Sequence, residues 1–448
     1  MTAATRNGSA DGAAVSAGRT YWSLFVFAVT LMLLFLDRQV MTLLVAPIKR
    51  DLGLSDTEIS VLIGFMFVLF YVGAGIPISR LVDRGPRKWI IAIGIAFWSV
   101  MTAACGLAQS FWQLAVTRMG VGVGESCNAP ATYSMTADLF PRHRLASAIS
   151  IINLGQVGGQ GMALLVGGTI IVWLTGLGSV TVPLFGELRA WQLTFIIVGF
   201  PGLLWALVVV ATVPEPPRRA EKGGDTIPGI GQVVRYLGAW WTLFLPVVLA
   251  AGIKSMLSFG TTVWSPTFFE RKFHWSAAVA GQYIGLLQLV VAPVGLLIGG
   301  WLADRRAREG KDDANMRIVL CASILLLPFA LIYPLMPTPG LALAALGASL
   351  FAGGIGAGPA NAAVQVITPG RMRGTVTALY IALYNVLGYG VGPFLVARLT
   401  DSYFRNEAML PASMAVAAAI LAPLGLLLSW IALKPYARAV GAARDREI

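Results

Sequence analysis

The chain has 448 residues, of which 57% are hydrophobic and only 12% charged, with a mean hydropathy of +0.75 and a formal net charge of +12. Soluble globular domains hold about 45–50% apolar and about 25% charged residues, so a water-soluble enzyme or binding module is excluded and an integral membrane protein is expected. The three cysteines, Cys105, Cys127 and Cys321, show no C-x-x-C spacing, which argues against a disulfide framework or a structural zinc site.

In chain order, residues 1–19 are rich in Ala, Gly, Ser and Thr and read as a disordered tail. They are not a secretory signal, because the apolar segment that follows is too long and lacks a cleavage site. Twelve apolar stretches then begin near Trp22, Ser60, Trp89, Phe111, Ala146, Leu193, Trp240, Ala277, Met316, Leu341, Thr375 and Ala412. Each is about 20 residues long, the length that crosses the hydrocarbon core as a helix. Helix is required, since any open backbone facing lipid leaves polar groups unpaired. The longest polar interruption, "PEPPRRAEKGGDTIPGIGQVVR" from Pro214, carries the Pro, Gly and mixed charge of a linker. It divides the spans six and six: a bundle over 20–213, a linker over 214–238, a second bundle over 239–434 and a tail over 435–448.

The basic excess follows topology. With both termini on one side, 23 Lys/Arg and 12 Asp/Glu fall on the terminus side, 7 and 7 on the far side, and 3 and 2 inside spans. The terminus side is thus +11 and the far side neutral. That asymmetry predicts cytoplasmic termini in a cell membrane, with a bacterial inner membrane expected. It points to anionic lipid as the partner of the basic face, and away from nucleic acid.

The loop after span 2, "SRLVDRGPRK", matches the loop after span 8, "GWLADRRARE": Asp83, Arg84 and Arg87 align with Asp304, Arg305 and Arg308. Position and register agree, as in an internal repeat of two parallel six-helix halves. A carboxylate on such a loop can accept bonds from a neighbouring helix N-terminus, and the arginines can pair with acids such as Asp138. These residues form a candidate conformational gate.

On these residues the chain resembles the major facilitator superfamily, whose loop signature is G-x-x-x-D-R-x-G-R-[KR]. Here Ser79 replaces the first Gly, Pro86 and Ala307 the second, and Glu309 the last base. Three further stretches, "LDRQV", "RMGVGVGESCNAP" and "ADLFPRHR", resemble the spinster subfamily. The resemblance covers roughly residues 20–434. It implies an all-α membrane protein, with twelve transmembrane helices in two pseudo-symmetric six-helix bundles.

Five ionisable residues lie within spans: Asp37, Arg38, Arg118, Glu125 and Lys254. Each costs about 2.5–3.5 kcal/mol at mid-bilayer unless paired or wet. Asp37 lies roughly 22 Å into span 1 at 1.5 Å per residue, a depth that Arg118 and Glu125 share on the antiparallel span 4. Arg118, Gly122 and Glu125 are spaced i, i+4, i+7 and share one face, and Gly120, Gly122 and Gly124 permit close helix approach. The first four charges sum to zero. Proton gain by Asp37 or Glu125 would free an arginine and charge the cluster, which makes these acids candidate proton-coupling residues and Arg38 and Arg118 their charge partners. A purely structural ion cluster is the alternative. The spinster resemblance also implicates charges at these positions in proton sensing and transport.

Lys254, near the middle of span 7, has no acid on its own helix and is expected to face the central cavity that spans 1, 4, 7 and 10 line in the superfamily. It is a candidate anchor for a negative head group, or else a structural partner of Asp37 or Glu125. Asn128, Thr132 and Tyr133 on span 4, Ser258 on span 7, and Asn361 and Gln365 on span 10 complete the candidate substrate-binding set. No phosphate-binding loop, catalytic triad, metal-ligand spacing or cofactor motif is found. The expectation is therefore a secondary transporter, working as a monomer by alternating access and moving an amphiphile with protons. The resemblance suggests lysophospholipid or sphingolipid-like substrates. A proton-driven multidrug exporter and a proton-insensitive lipid facilitator are the alternatives.

Overall fold

The computed structural model describes residues 16–177, 180–182, 186–218, 230–369 and 372–444. Among them, eleven helices are long and apolar enough to cross a membrane: Ala17–Leu43, Asp56–Arg84, Arg87–Cys105, Ser147–Gly176, Ala190–Thr212, Trp241–Phe273, Ala277–Arg308, Ala314–Leu335, Pro339–Val366, Thr375–Phe404 and Glu407–Ala442. They are spans 1–3 and 5–12. The twelfth, span 4, is broken into Phe111–Glu125 and Asn128–Leu139, each too short to cross alone. Pro130 accounts for the break. Its ring excludes the carbonyl of Ser126, four residues earlier, and it offers no N–H. The glycines of "GVGVGE" weaken the turns before it.

Three expected boundaries move. The first helix starts at Ala17, inside the expected tail. Within the expected linker, Ile230–Ala239 is helical, with Val233 buried and the Tyr236 hydroxyl donating to the Ile367 carbonyl at 3.4 Å. The last helix runs on to Arg444, because Tyr436 is buried and bonds Asn315 at 3.0 Å. A short antiparallel pair, Val180–Val182 with Gly186–Leu188, sits between spans 5 and 6.

The two halves meet mainly on the far face, opposite the termini. One apolar cluster there draws Val40, Ile48 and Leu62 from the first half and Trp264, Phe268 and Val396 from the second. Spans 5 and 8 touch so closely that a Cβ at Gly281 would lie 2.5 Å from the Leu164 carbonyl. Nearer the termini, the apolar cluster around Val233, Met316, Val364 and Tyr436 belongs to the second half alone. The molecule is closed on the far face.

Candidate functional site

The site lies where spans 1, 3 and 4 converge. Arg38 donates from Nε to Glu125 Oε2 at 2.6 Å, and its terminal nitrogen lies at the same distance. Both side chains are buried. The depth match expected between spans 1 and 4 therefore yields one direct ion pair. Span 2 approaches span 4 closely beside the pair: a Cβ at Gly122 would lie 2.4 Å from the Phe67 carbonyl.

The other two charges sit beside this pair without closing a second one. Asp37 accepts a bond from the Thr102 hydroxyl of span 3 at 3.2 Å. Arg118, 1% exposed, makes no ion pair within 4.0 Å among the described residues, and its Nε and one terminal nitrogen lack partners. Glu125 Oε1 is likewise unpartnered. A buried donor or acceptor left unmade costs about 1–3 kcal/mol, and more when charged, so these atoms set a demand for a partner inside the site. All four charged side chains are closed to solvent in this conformation.

Aromatic rings close the site. The guanidinium carbon of Arg38 stands 4.9, 4.5 and 4.9 Å from the ring centroids of Phe35, Phe67 and Tyr71, and 5.6 Å from that of Tyr389. Sequence reasoning missed all four rings. Aromatic residues in apolar spans carry no pattern that separates a cation–π wall from ordinary core.

Lys254 is half-buried. Its ammonium donates to Ser323 of span 9 at 3.1 Å, with Ser429 of span 12 next to that serine at 3.4 Å. The small Gly425 leaves room for its stem, so the flexible chain finds hydroxyls inside its own half. Neither alternative partner, Asp37 nor Glu125, is reached. Thr132 is buried and turned back onto the Asn128 carbonyl at 2.7 Å. Asn128 is buried with its Oδ1 unpartnered, at the start of the second segment of span 4. Tyr133 donates to Asn153 of span 5 at 2.8 Å. Ser258, Asn361 and Gln365 are exposed.

The two loop copies differ. Arg87, 1% exposed, pairs with Asp138, donates to Glu215 at 2.9 Å and Ser134 at 3.0 Å, and reaches the Pro216 carbonyl at 2.7 Å. Asp83 and Arg84 are exposed. In the second copy Asp304, Arg305 and Arg308 are all exposed, and Arg305 bonds its neighbour Glu309 at 3.3 Å and stands over the Trp301 ring. Here Asp313 takes the central place, held by Arg306 at 3.2 Å and Arg317 at 2.9 Å.

The far face carries a charge network that the sequence reading did not identify. Lys49 pairs with Asp56 and, at 2.8 Å, with Glu407. Arg271 grips Asp56 with two bonds, at 2.6 and 2.8 Å, and approaches Glu407 at 3.1 Å. Asp401 accepts from Thr57 at 2.6 Å. Lys49, Asp56 and Thr57 belong to the first half, the others to the second. Among the described residues no group of three or more His, Cys, Asp or Glu is placed to hold a metal ion.

Twelve spans in two halves, with ion pairs buried within the bundle and bridging one face, define a membrane transporter. The family model described as Major Facilitator Superfamily matches residues 27–393, and the chain belongs to that superfamily. It is a spinster-like member: a solved structure of a bacterial homolog to the human lysosomal transporter Spinster, in an inward-facing and unoccupied conformation, is similar with a TM-score of 0.78 and 25% identity, over 96% of this chain and 99% of that one. A Mycolicibacterium smegmatis protein called an MFS-type efflux pump is 30% identical over 428 residues, 94% of each chain. Human protein spinster homolog 1 is 24% identical over 424 residues, 88% of this chain and 75% of that one.

Proposed function

We propose that the protein is a proton-coupled transporter of an amphiphilic, lipid-like substrate of the lysophospholipid or sphingolipid class, working by alternating access as a monomer in the cell membrane. Its termini are cytoplasmic, so the described conformation is inward-facing. The observation that carries the reading is the buried Arg38–Glu125 pair at 2.6 Å, beside Asp37 and an Arg118 with unmade bonds. Charges so placed are tolerated where they serve an ion or proton pathway. A proton on Glu125 removes the counter-ion of Arg38 and leaves the cluster positive. Asp37 is the second acid available to it. Ser258, Asn361 and Gln365, exposed on spans 7 and 10, remain available to a substrate. Lys254, half-buried on span 7 and held by Ser323, is a candidate anchor for a negative head group when that bond is exchanged.

Reconstitution into liposomes with a panel of lysolipids and an imposed pH gradient tests this. Wild type should move at least one lysolipid in response to the gradient, and Glu125→Gln and Asp37→Asn should lose that response. Transport that ignores the gradient would leave a proton-insensitive facilitator. A second reading, a proton-driven exporter of diverse drugs, is favoured by the relative called an efflux pump. Competition by structurally unrelated cations, with no movement of any lysolipid, would select it.

A further inference from the structure

We propose that Tyr389 of span 11 is the positioning residue through which the second half senses the protonation state of the Arg38–Glu125 pair. The inference deepens the proton-switch reading above and rests on it.

Phe35, Phe67 and Tyr71 belong to the half that carries the pair; Tyr389 does not, and its centroid lies 5.6 Å from the Arg38 guanidinium carbon. Tyr389 is 7% exposed and its ring lies on Phe259 of span 7, with centroids 3.8 Å apart. Phe259 meets Tyr384 edge-on at 6.1 Å. The contact is rigid at its base, since a Cβ at Gly64 would lie 2.0 Å from the Tyr389 carbonyl, so spans 2 and 11 touch backbone to backbone. On both sides of this touch the helices open into π-helical turns, Val61–Phe65 and Val386–Val391. Such turns are a common device at functional sites.

The consequence follows from electrostatics. With Glu125 ionised, the guanidinium is neutralised by its carboxylate, and the rings add little. With Glu125 protonated, the cation keeps its charge in a site shut to water, and ring faces become a larger share of what stabilises it. Three of those rings move with Arg38 as one body. The fourth is on the other half, and opening the far face must draw it away, because span 11 would part from span 2. Proton gain therefore favours the far-closed conformation through Tyr389. The other titratable groups around the pair and Tyr389 are Asp37 on span 1, Tyr71 on span 2, Cys105 on span 3, Arg118 and Cys127 on span 4, and Tyr384 on span 11. Among these only Tyr384 belongs to the second half, and it meets the pair through Phe259 and Tyr389.

The test reads the pH dependence of the far-face opening. Spin labels at Gln109→Cys and Gly340→Cys, in a Cys321→Ser background, report the distance between the halves on the far face. Wild type should show a larger far-open fraction in mildly alkaline than in acidic buffer. Tyr389→Ala should cut that pH-driven change by about threefold or more, while Tyr389→Phe, which keeps the ring, should retain it. If Tyr389→Ala lowers the melting temperature too far to measure, Tyr389→Leu is read in its place. A wild-type pH response in the ring-deleted variant overturns the proposal. Glu125→Gln separates the two failures. If it abolishes the response while Tyr389→Ala keeps it, only the Tyr389 proposal falls; if wild type and Glu125→Gln respond alike, the proton-switch reading falls and takes the proposal with it.

Discussion

The far face and the terminus face of this protein use the same residue types to opposite ends. On the far face Lys49, Asp56, Arg271 and Glu407 join one half to the other. On the terminus face the pairs among the described residues stay local: Arg87 with Asp138 in the first half and with Glu215 at the start of the linker, Asp313 with Arg306 and Arg317 in the second half. Among the described residues no ion pair on that face crosses between halves. Charges that cross a moving interface select a conformation. Charges within a half stabilise the body that moves, whatever the conformation.

Four measurements can break or sharpen this contrast. The largest effect is expected from Arg271→Ala. Its side chain holds the fully buried Asp56, and removing one partner of a buried pair costs about 3–5 kcal/mol. A loss of about 3 kcal/mol would raise the far-open fraction by about 100-fold, read as faster labelling of a far-face cysteine. An unchanged rate would remove the far network as a gate. Next comes Asp138→Asn, which breaks the clip around Arg87. It should cost about 1.5–3 kcal/mol of stability, seen as a lower melting temperature, while far-face labelling stays at the wild-type rate. A shift in labelling would mean that the clip is conformational after all. Glu407→Gln should be milder, at about 0–1 kcal/mol, because its carboxylate is 63% exposed and already screened by water.

The smallest effect concerns pH. Burial disfavours the charge on Asp313, but hydrogen bonds and charge from Arg317 and Arg306 outweigh that and hold its carboxyl below the ordinary range. A lowered folded-state value stabilises the protein above the unfolded carboxylate's titration, near about pH 3.9, and that gain fades as pH falls through the folded value. Asp313→Asn should flatten this acid limb of a stability profile while leaving far-face labelling alone. A steeper limb would reverse the assignment.

How much of this was legible beforehand depends on the distance over which each signal acts. Spans declare themselves through runs of about 20 apolar residues, and even span 4 did so, because hydropathy is blind to a break that only Pro130 signals. The Arg38–Glu125 pair was within reach because depth and helical phase are both local arithmetic, and the Arg87–Asp138 pairing followed from adjacent loops and helices. The far network was not, since Lys49 and Glu407 are separated by 358 positions and lie among ordinary loop charges. For Lys254 the hidden part is its partner: the hydroxyl that it meets belongs to a helix that no periodicity places beside span 7. Tyr389 was hidden among many aromatics, each equally suited to lipid or core.

The interruption of span 4 has a mechanical consequence. Upstream of it stands Glu125, bound to span 1; downstream stand Ser134 and Asp138, bolted through Arg87 to the start of span 3. Ser126 and Cys127 keep right-handed helical backbone, so the two ends stay on one axis, but the bond that Pro130 cannot donate weakens the rod between them. A bend there would let the lower end of the helix follow Arg87 while its carboxylate stays with Arg38.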